Sequence, residues 1–245
     1  MTIVETSLKP PRKKRSPSST TSETATPDNT ASVLQFRVWL KGLSPMVWRR
    51  VQVPSMMTLR EFHGVLQVAM GWDSIHLYQF IVHTVRYGSW ELTAESADIV
   101  LDDLKLSKGS RFLYEYDLNI PWEHEVRLED RLAYAPRKRY PCCIGGDGNC
   151  PPEDSGGPQV WMERVDEALG YELDNDFSTV LEFIQEISET QSFAALKDPE
   201  RAEELRETLF RIEDRKALLG RPFARRKVNE RLRQDEHLTL MYQQM

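Results

Sequence analysis

Several features are scarce or missing in this chain of 245 residues, and each absence excludes a class of protein. There is no run of about eighteen apolar residues, so a transmembrane helix is not expected. The first residues include no apolar segment ahead of a cleavage site, so a secretory signal peptide is not expected either. Only three cysteines are present. That small, odd number excludes a disulfide-stapled fold and favours a reducing compartment such as the cytoplasm.

Basic residues are fewer than acidic ones, which argues against a uniformly basic nucleic-acid binder. The formal net charge is −6, from 32 Lys and Arg against 38 Asp and Glu. The charge is uneven, because residues 1–31 and residues 221–245 each carry more basic than acidic groups. The basic cluster from Lys9 to Arg15 fits a solvated tail, or a nuclear-import signal if the source is eukaryotic.

Large apolar residues are almost missing from residues 1–31, which are rich in Ser, Thr and Pro. Such a segment cannot bury enough surface to offset its chain entropy, so we expect a disordered tail over 1–31. The whole chain is nevertheless 40% hydrophobic, which is enough for a packed core. We expect that core in a domain over 32–190, followed by a helical C-terminal extension over 191–245.

Two patterns near the start of this domain predict a hairpin and a helix. Alternate residues from Leu34 to Leu40 are apolar, and a second strand over 46–53 follows a turn. Thr58 and Glu61 have the spacing of a capping box, in which each side chain satisfies an amide of the first helical turn. Gly71 stands where a glycine commonly ends a helix.

A second hairpin is predicted over 112–128, because apolar and charged residues alternate on both sides of a short turn. Residues 136–158 hold five prolines, five glycines and all three cysteines, so we expect mostly loop there. Strand and helix patterns do not alternate strictly, which favours an α+β fold over a doubly wound sheet. The expected architecture is antiparallel β-hairpins with a packed helix, followed by the helical extension.

The C-terminal part of the chain has the periodicity of helices. Helices are predicted over 160–169 and 177–188 from the spacing of their apolar residues. Asp198 and the following Pro-Glu form a helix start, and Gly220 is the corresponding stop.

Four ordered motifs carry a family resemblance. They are Leu43–Arg50, then Met70–Trp72 with His76–Phe80, then Tyr114–Asp117 with Trp122–His124, and finally Cys150–Pro158. In this order the chain resembles the plasmid pRiA4b open-reading-frame-three family, also labelled the TnpR-like passenger protein of insertion elements. The resemblance covers roughly residues 33–190. It implies an α+β domain carried by plasmids and insertion elements, with no settled biochemical activity.

The chain departs from the family pattern at two places. Residues 118–121 replace the family's Gly-Asp at the hairpin turn, so one acidic side chain is missing. Ser155 stands where the family has a cysteine, so chemistry that needs that thiol is not expected. The TnpR label suggests a serine recombinase, yet neither Ser32 nor Ser44 has the flanking arginines that would hold a scissile phosphate. We therefore do not expect recombinase activity.

The cysteines are candidate metal ligands. Cys142, Cys143 and Cys150 lie within one short segment, and His124 or His76 could complete a tetrahedral zinc site. Two facts weaken this interpretation, because adjacent cysteines seldom bind one ion and no Cys-x-x-Cys pair is present. The alternative is a structural loop in which the cysteines pack as small apolar side chains.

A catalytic group is a second candidate site. Asp117 and His124 flank the predicted hairpin turn, and an aspartate that orients a histidine is a common general base. Glu153 and Asp154 could approach from the following loop. Against this, His124 shares its strand face with Trp122 and other apolar residues, so a buried core histidine is the alternative.

Basic residues provide the candidate nucleic-acid contacts. Arg49 and Arg50 follow Trp48, a combination that suits contact with phosphates and bases. A second basic cluster, on the predicted terminal helix, is formed by Arg225, Arg226 and Lys227. The alternative for both clusters is a solvated surface whose arginine stems cover apolar neighbours.

The chain contains no P-loop, dinucleotide fingerprint or nucleophile–base pair. We therefore favour a non-enzymatic accessory or binding protein of mobile-element origin, which contacts nucleic acid or a protein partner. The Pro-Pro-Glu-Asp loop and the turn of the second hairpin are its expected functional surface. The competing hypothesis is a metal-dependent enzyme with a site at the 117–124 hairpin and the 142–157 loop.

Overall fold

In the computed structural model of the protein, residues 32–89, 94–170 and 172–243 are described. The predicted disordered tail over 1–31 lies outside them. Among the described residues, no helix is both long enough and apolar enough to cross a lipid bilayer.

One eight-stranded sheet organises the described part of the chain. Along the sheet the strands run in the order β5-β4-β3-β6-β7-β1-β2-β8, and only β4 and β5 pair in parallel. The strands are β1 (Ser32–Leu40), β2 (Trp48–Pro54), β3 (Tyr78–Val82), β4 (Val85–Gly88), β5 (Glu95–Ser96), β6 (Arg111–Tyr116), β7 (Trp122–Ala133) and β8 (Cys142–Asp147).

The described ranges contain six helices, α1 (Leu59–Met70), α2 (Gly157–Ala168), α3 (Glu172–Thr190), α4 (Pro199–Leu218), α5 (Arg225–Arg233) and α6 (Glu236–Leu240). Short 3₁₀ turns occur at Leu101–Leu104 and Ala194–Lys197. The predicted α+β fold, with antiparallel hairpins, a packed helix and helices at the C-terminus, is confirmed.

The alternation in the sequence decides which strand face is buried. Leu34, Phe36, Val38 and Leu40 of β1 are at most 2% exposed and point towards α1, while the residues between them lie on the opposite face. Both predicted hairpins form, β1 with β2 and β6 with β7. The sheet therefore has an inner face that packs on helices and an outer face of polar and charged side chains.

Helix α1 begins and ends as the sequence predicts. The Thr58 hydroxyl accepts a hydrogen bond from the Glu61 amide, and the Glu61 carboxylate accepts one from the Thr58 amide. Gly71 ends the helix in the left-handed conformation at φ 90°. Helix α4 likewise starts at an Asp198 cap.

The expectation of loop over 136–158 is wrong for Cys142–Asp147, which forms edge strand β8. This segment has no alternation of apolar residues that would have indicated a strand. It is ordered by pairing with β2, a contact between distant parts of the chain. The free edge of β8 is covered by Asn229 of α5, whose side-chain amide bonds to both the N–H and the C=O of Cys143.

Helices α5 and α6 pack on the domain. Val228, Leu232 and Leu240 join the same buried cluster as α1. The approach of α6 to α1 is close at Gly64, where an added Cβ would overlap the carbonyl oxygen of His237. The boundary at residue 190 between domain and extension stays a prediction.

The Gly64→Ala variant tests this close approach. Alanine favours a helix over glycine by about 1 kcal/mol, so propensity alone would stabilise the variant. We expect the opposite, a loss of about 1–3 kcal/mol in the free energy of unfolding, because α6 must move away from the new methyl group. Urea denaturation measures the change, and an increase in stability would contradict the packing of α6 on α1.

Candidate functional site

Glu153 of the Pro-Pro-Glu-Asp loop connects three segments of the chain. Its carboxylate accepts hydrogen bonds from the amides of Asp73 at 2.8 Å and Ile75 at 3.1 Å, and from the Tyr116 hydroxyl. Its own carbonyl oxygen accepts one from the Trp122 indole. These bonds fix the loop against the end of α1 and against the β6–β7 hairpin. Three of the four sequence motifs therefore meet at Glu153.

His76 lies beside this connection and contacts two carboxylates. Its Nε2 is 2.7 Å from Oδ1 of Asp154, and its Nδ1 is 3.9 Å from Oδ1 of Asp117. The Tyr116 ring packs edge-on against the imidazole. Asp117 immediately follows β6 with φ 60°, a backbone conformation that aspartate tolerates better than most residues. His76 thereby joins Asp154 of the loop and Asp117 of the hairpin at one side chain.

The structure does not bring the predicted Asp117–His124 pair together. His124 is completely buried, with its Nδ1 3.3 Å from the Tyr114 carbonyl oxygen and its Nε2 without a hydrogen-bond partner in the described part of the chain. Burial lowers its pKa from 6.5 to about 3, so the imidazole is neutral in the folded protein. The alternative of a core histidine therefore describes His124. Asp117, Glu153 and Asp154 do approach one another, but around His76 and Tyr116.

The cysteines do not converge on a metal site. In the described ranges, no group of three His, Cys, Asp or Glu side chains could hold a metal ion. Cys143 and Cys150 are buried, and burial raises the pKa of the Cys150 thiol to about 12. The zinc site predicted from Cys142, Cys143, Cys150 and His124 thus has no support in the geometry of these side chains.

The predicted nucleic-acid contacts have different environments. Arg49 is 2% exposed and donates to the carbonyl oxygens of Ala69, Trp48, Asp147 and Gly148, so it does not lie at the surface. Arg50 is on the outer sheet face. In α5, Arg225, Arg226 and Lys227 are exposed.

A cavity of about 890 Å³ opens next to Glu153. It lies between the Pro-Pro-Glu-Asp loop, the end of α1, and helices α3 and α4. Its mainly apolar lining includes Trp72, Pro151, Leu173, Phe177, Ile212 and Leu219. The volume is in the range typical of ligand and peptide sites.

Sequence reasoning missed the roles of Trp72 and Tyr116. The Trp72 indole donates to the Pro151 carbonyl oxygen at 2.9 Å, and its ring stacks on Tyr116. Both residues belong to motifs that carried the family resemblance, but their partners are about forty or more residues away in the chain. Only the presence of two large aromatics within those motifs could have indicated them.

The buried histidines predict a pH dependence of stability. Burial lowers the pKa of His63 and of His124 below the value of 6.5. Below about pH 6.5 these histidines are therefore protonated in the unfolded chain but stay neutral in the folded one. As the pH is lowered, the free energy of unfolding decreases by up to about 1.4 kcal/mol per pH unit for each group.

His124→Phe removes one of these groups. We expect a shallower fall in the urea midpoint between about pH 6.5 and pH 4 than in the wild type. His83→Asn, a change of an exposed histidine, should leave the slope unchanged. An unaltered slope in His124→Phe would show that His124 is not buried as a neutral group.

The environment of the cysteines predicts their reactivity. Cys142 is partly exposed, whereas Cys143 and Cys150 are buried. Since a thiolate must be accessible to react, the native protein should titrate one thiol quickly with a disulfide reagent, and all three after denaturation. Cys142→Ser should abolish the fast phase. If all three thiols reacted quickly in the native protein, the segment that contains the cysteines would be accessible to solvent.

Three comparisons place the chain among known proteins. The uncharacterized protein y4hQ of Sinorhizobium fredii (strain NBRC 101917 / NGR234) is 38% identical over 141 residues, which are 54% of this chain and 71% of that protein. A crystal structure of a protein of unknown function, MM3350 from Methanosarcina mazei Go1, is 29% identical with a TM-score of 0.48 over 58% of this chain and 84% of that one. The sequence model of one family matches residues 32–204, well over half of the length, and the chain therefore belongs to the plasmid pRiA4b ORF-3-like protein family.

Proposed function

We propose that this protein is a non-enzymatic binding protein that receives a helix of a protein partner in the groove beside the Pro-Pro-Glu-Asp loop. The observation that carries the proposal is the apolar cavity together with the α3 surface that continues it. Phe177 lines the cavity, and Leu181 and Ile184 follow it at helical spacing. These three side chains are 52%, 54% and 57% exposed.

A row of exposed apolar side chains of this kind is unusual on a protein surface that contacts only solvent. Contiguous apolar patches on soluble proteins commonly mark interaction sites. The opposite side of α3 is already used, since Phe183 is 3% exposed and Asp176 pairs with Arg211 and Arg215 of α4. The helix therefore presents a second apolar side that lies beside the rigidly held loop.

The charge of α3 indicates the chemistry of the partner. The helix carries six acidic residues and no Lys, Arg or His. Within the described residues, Asp174, Glu182 and Glu189 form no ion pair, whereas Asp176 and Glu186 do. A complementary partner is a helix with one apolar face flanked by lysines or arginines, in the helix-in-groove mode of recognition.

The loop contributes rigidity to this groove. Glu153 and Trp72 hold the loop on one wall through hydrogen bonds to three separate segments. A preformed wall lowers the cost of binding, because this loop does not have to be ordered when the partner arrives. This role needs neither a nucleophile nor a metal ion.

The mobile-element origin and the cellular location are parts of the same proposal. The description of the family refers to a plasmid, which supports an accessory role carried by a mobile element. The three cysteines are unpaired thiols, which supports a reducing compartment, the cytoplasm.

A synthetic peptide tests the groove. The probe is a fluorescein-labelled helix of about five turns with leucines on one face and lysines on the others, compared with a scrambled peptide of the same composition. We expect the amphipathic peptide to bind and the scrambled one to bind much more weakly, as measured by anisotropy. Leu181→Gln should weaken binding at least about tenfold, since it places an amide in the centre of the interface.

The matched control is Leu238→Gln, which changes a leucine on α6 that is 42% exposed and does not line the groove. It should bind the peptide as the wild type does. Equal binding of both peptides, or an equal loss in both variants, would contradict a site on α3.

A further inference from the structure

Four arginines form a row across the outer face of the sheet. The register pairs Arg50 of β2 with Arg37 of β1, Arg37 with Arg127 of β7, and Arg127 with Arg111 of β6. They occupy outward positions, because their neighbours along each strand belong to the buried core. With strands about 4.8 Å apart, the row is about 14 Å long.

This row of arginines lowers the stability of the isolated protein. Like charges directly opposite each other on neighbouring strands destabilise a sheet. Among the described residues, carboxylates pair directly only with its two ends, where Arg50 makes a bidentate pair with Glu129 and Arg111 lies 3.0 Å from Glu125. The other two glutamates of the face are engaged elsewhere, Glu115 with Gln79 and Glu123 with Lys41.

The two central arginines are compensated less directly than the ends: the pKa of Glu129 is lowered chiefly by its hydrogen bond to Arg50 and only in part by the nearby charge of Arg37. In the part of the chain that the structure describes, neither Arg37 nor Arg127 forms an ion pair with a carboxylate. Arg127 is exposed, whereas Arg37 donates from Nη2 to the sulfur of Met46 at 3.7 Å and its buried Nε has no hydrogen-bond partner among the described residues. The guanidinium group of Arg127 therefore retains donors for an anion at the centre of the face, and Arg37 adds a second positive charge beside it.

Aromatic rings lie next to this centre. Trp39 and Trp48 are direct cross-strand partners on the same face. The guanidinium carbon of Arg37 is 4.9 Å from the ring centre of Trp48 and 5.9 Å from that of Trp39, and Arg50 lies 5.3 Å from Trp48. Stacking on the rings holds these guanidinium groups in place, and flat rings and guanidinium planes are the surfaces on which unpaired bases stack.

Further basic groups lie at the adjoining edge of the sheet. Arg50 pairs with Gly145 of β8, and a second cavity next to β8 is lined by Lys138, Arg139, Arg225 and Arg233 with no acidic residue. One of these, Arg225, belongs to the basic cluster of α5. Basic side chains thus continue along this edge of the sheet to α5, with Arg139 paired to Asp235.

We propose that the outer sheet face binds single-stranded nucleic acid. Phosphates would lie on Arg37 and Arg127, bases would stack beside Trp39 and Trp48, and the strand would continue over β8 towards Arg225. A groove that follows a backbone, combined with aromatic platforms, is the usual design for single strands. This site is separate from the groove at α3.

Fluorescence anisotropy on the full chain tests the proposal. The probes are labelled oligothymidylate and oligouridylate of about 20 nucleotides, and a duplex of the same length, at about 50 and 200 mM salt. We expect the single strands to bind more tightly than the duplex, with an affinity that falls as salt rises. Arg37→Gln combined with Arg127→Gln should lower the affinity at least about tenfold and reduce the salt slope by about 1.4, or 0.7 for each lost phosphate contact.

The matched control is Arg164→Gln combined with Arg206→Gln, which removes the same charge from exposed positions on α2 and α4. It should keep the wild-type affinity and salt slope. The single variant Arg127→Glu, at an exposed position, is a second test of the loss of affinity. Circular dichroism checks that this variant is folded. Trp39→Leu should weaken binding about fivefold or more with the salt slope unchanged, because stacking releases no counterions.

Three results would overturn the assignment. They are no binding of either single strand at low salt, equal losses in the sheet variant and its control, and tighter binding of the duplex than of the single strands. A raised melting temperature of the wild type with oligothymidylate, absent in Arg37→Gln/Arg127→Gln, would add support, since the anion relieves the repulsion along the row.

Discussion

The fold depends on one buried cation, the guanidinium group of Arg49. It donates to backbone carbonyl oxygens at the end of α1, in β2, and at the end of β8, and it lies 4.4 Å from the ring centre of Phe223, which precedes α5. No carboxylate takes part in these hydrogen bonds. A buried charge without its partners is strongly destabilising, so these elements can form only together. Gly146 leaves room for this contact, because an added Cβ would overlap Phe223 and Arg49.

The candidate groove follows from this constraint. Arg49 fixes the end of α1, and Trp72 comes two residues after that helix. It also fixes the end of β8, from which the chain continues to Cys150 and the Pro-Pro-Glu-Asp loop. Trp72 and the loop therefore lie next to each other. The hydrogen bond from the indole to Pro151 and the contacts of the Glu153 carboxylate complete this wall of the groove. The site is positioned by elements that the core has already ordered.

Local patterns in the sequence predicted most of the architecture, because they act over a few residues. The capping box at Thr58, the alternation of β1 and the burial of His124 all follow from spacing alone. Pairing of distant segments could not be predicted in this way, which is why β8 was missed and why His76, not His124, contacts Asp117. The row of arginines depends on register across four strands, although each member occupies an outward position that alternation assigns. Arg49 and Arg50 show the same rule, since adjacent residues of a strand point to opposite faces.

The net charge of −6 is unevenly distributed, and this has a consequence for recognition. The acidic α3 favours a basic helix over a phosphate backbone, whereas the proposed anion contacts on the outer sheet face are confined to the centre of the arginine row, at Arg37 and Arg127. Repulsion from the wrong ligand contributes to specificity as much as attraction to the right one. A protein that had to hold a basic partner and a nucleic acid at once would need this separation, because a basic helix would otherwise compete for the same phosphates. The two proposals are thus compatible in one chain, because the acidic α3 disfavours a phosphate backbone and the nucleic acid would lie on a separate face.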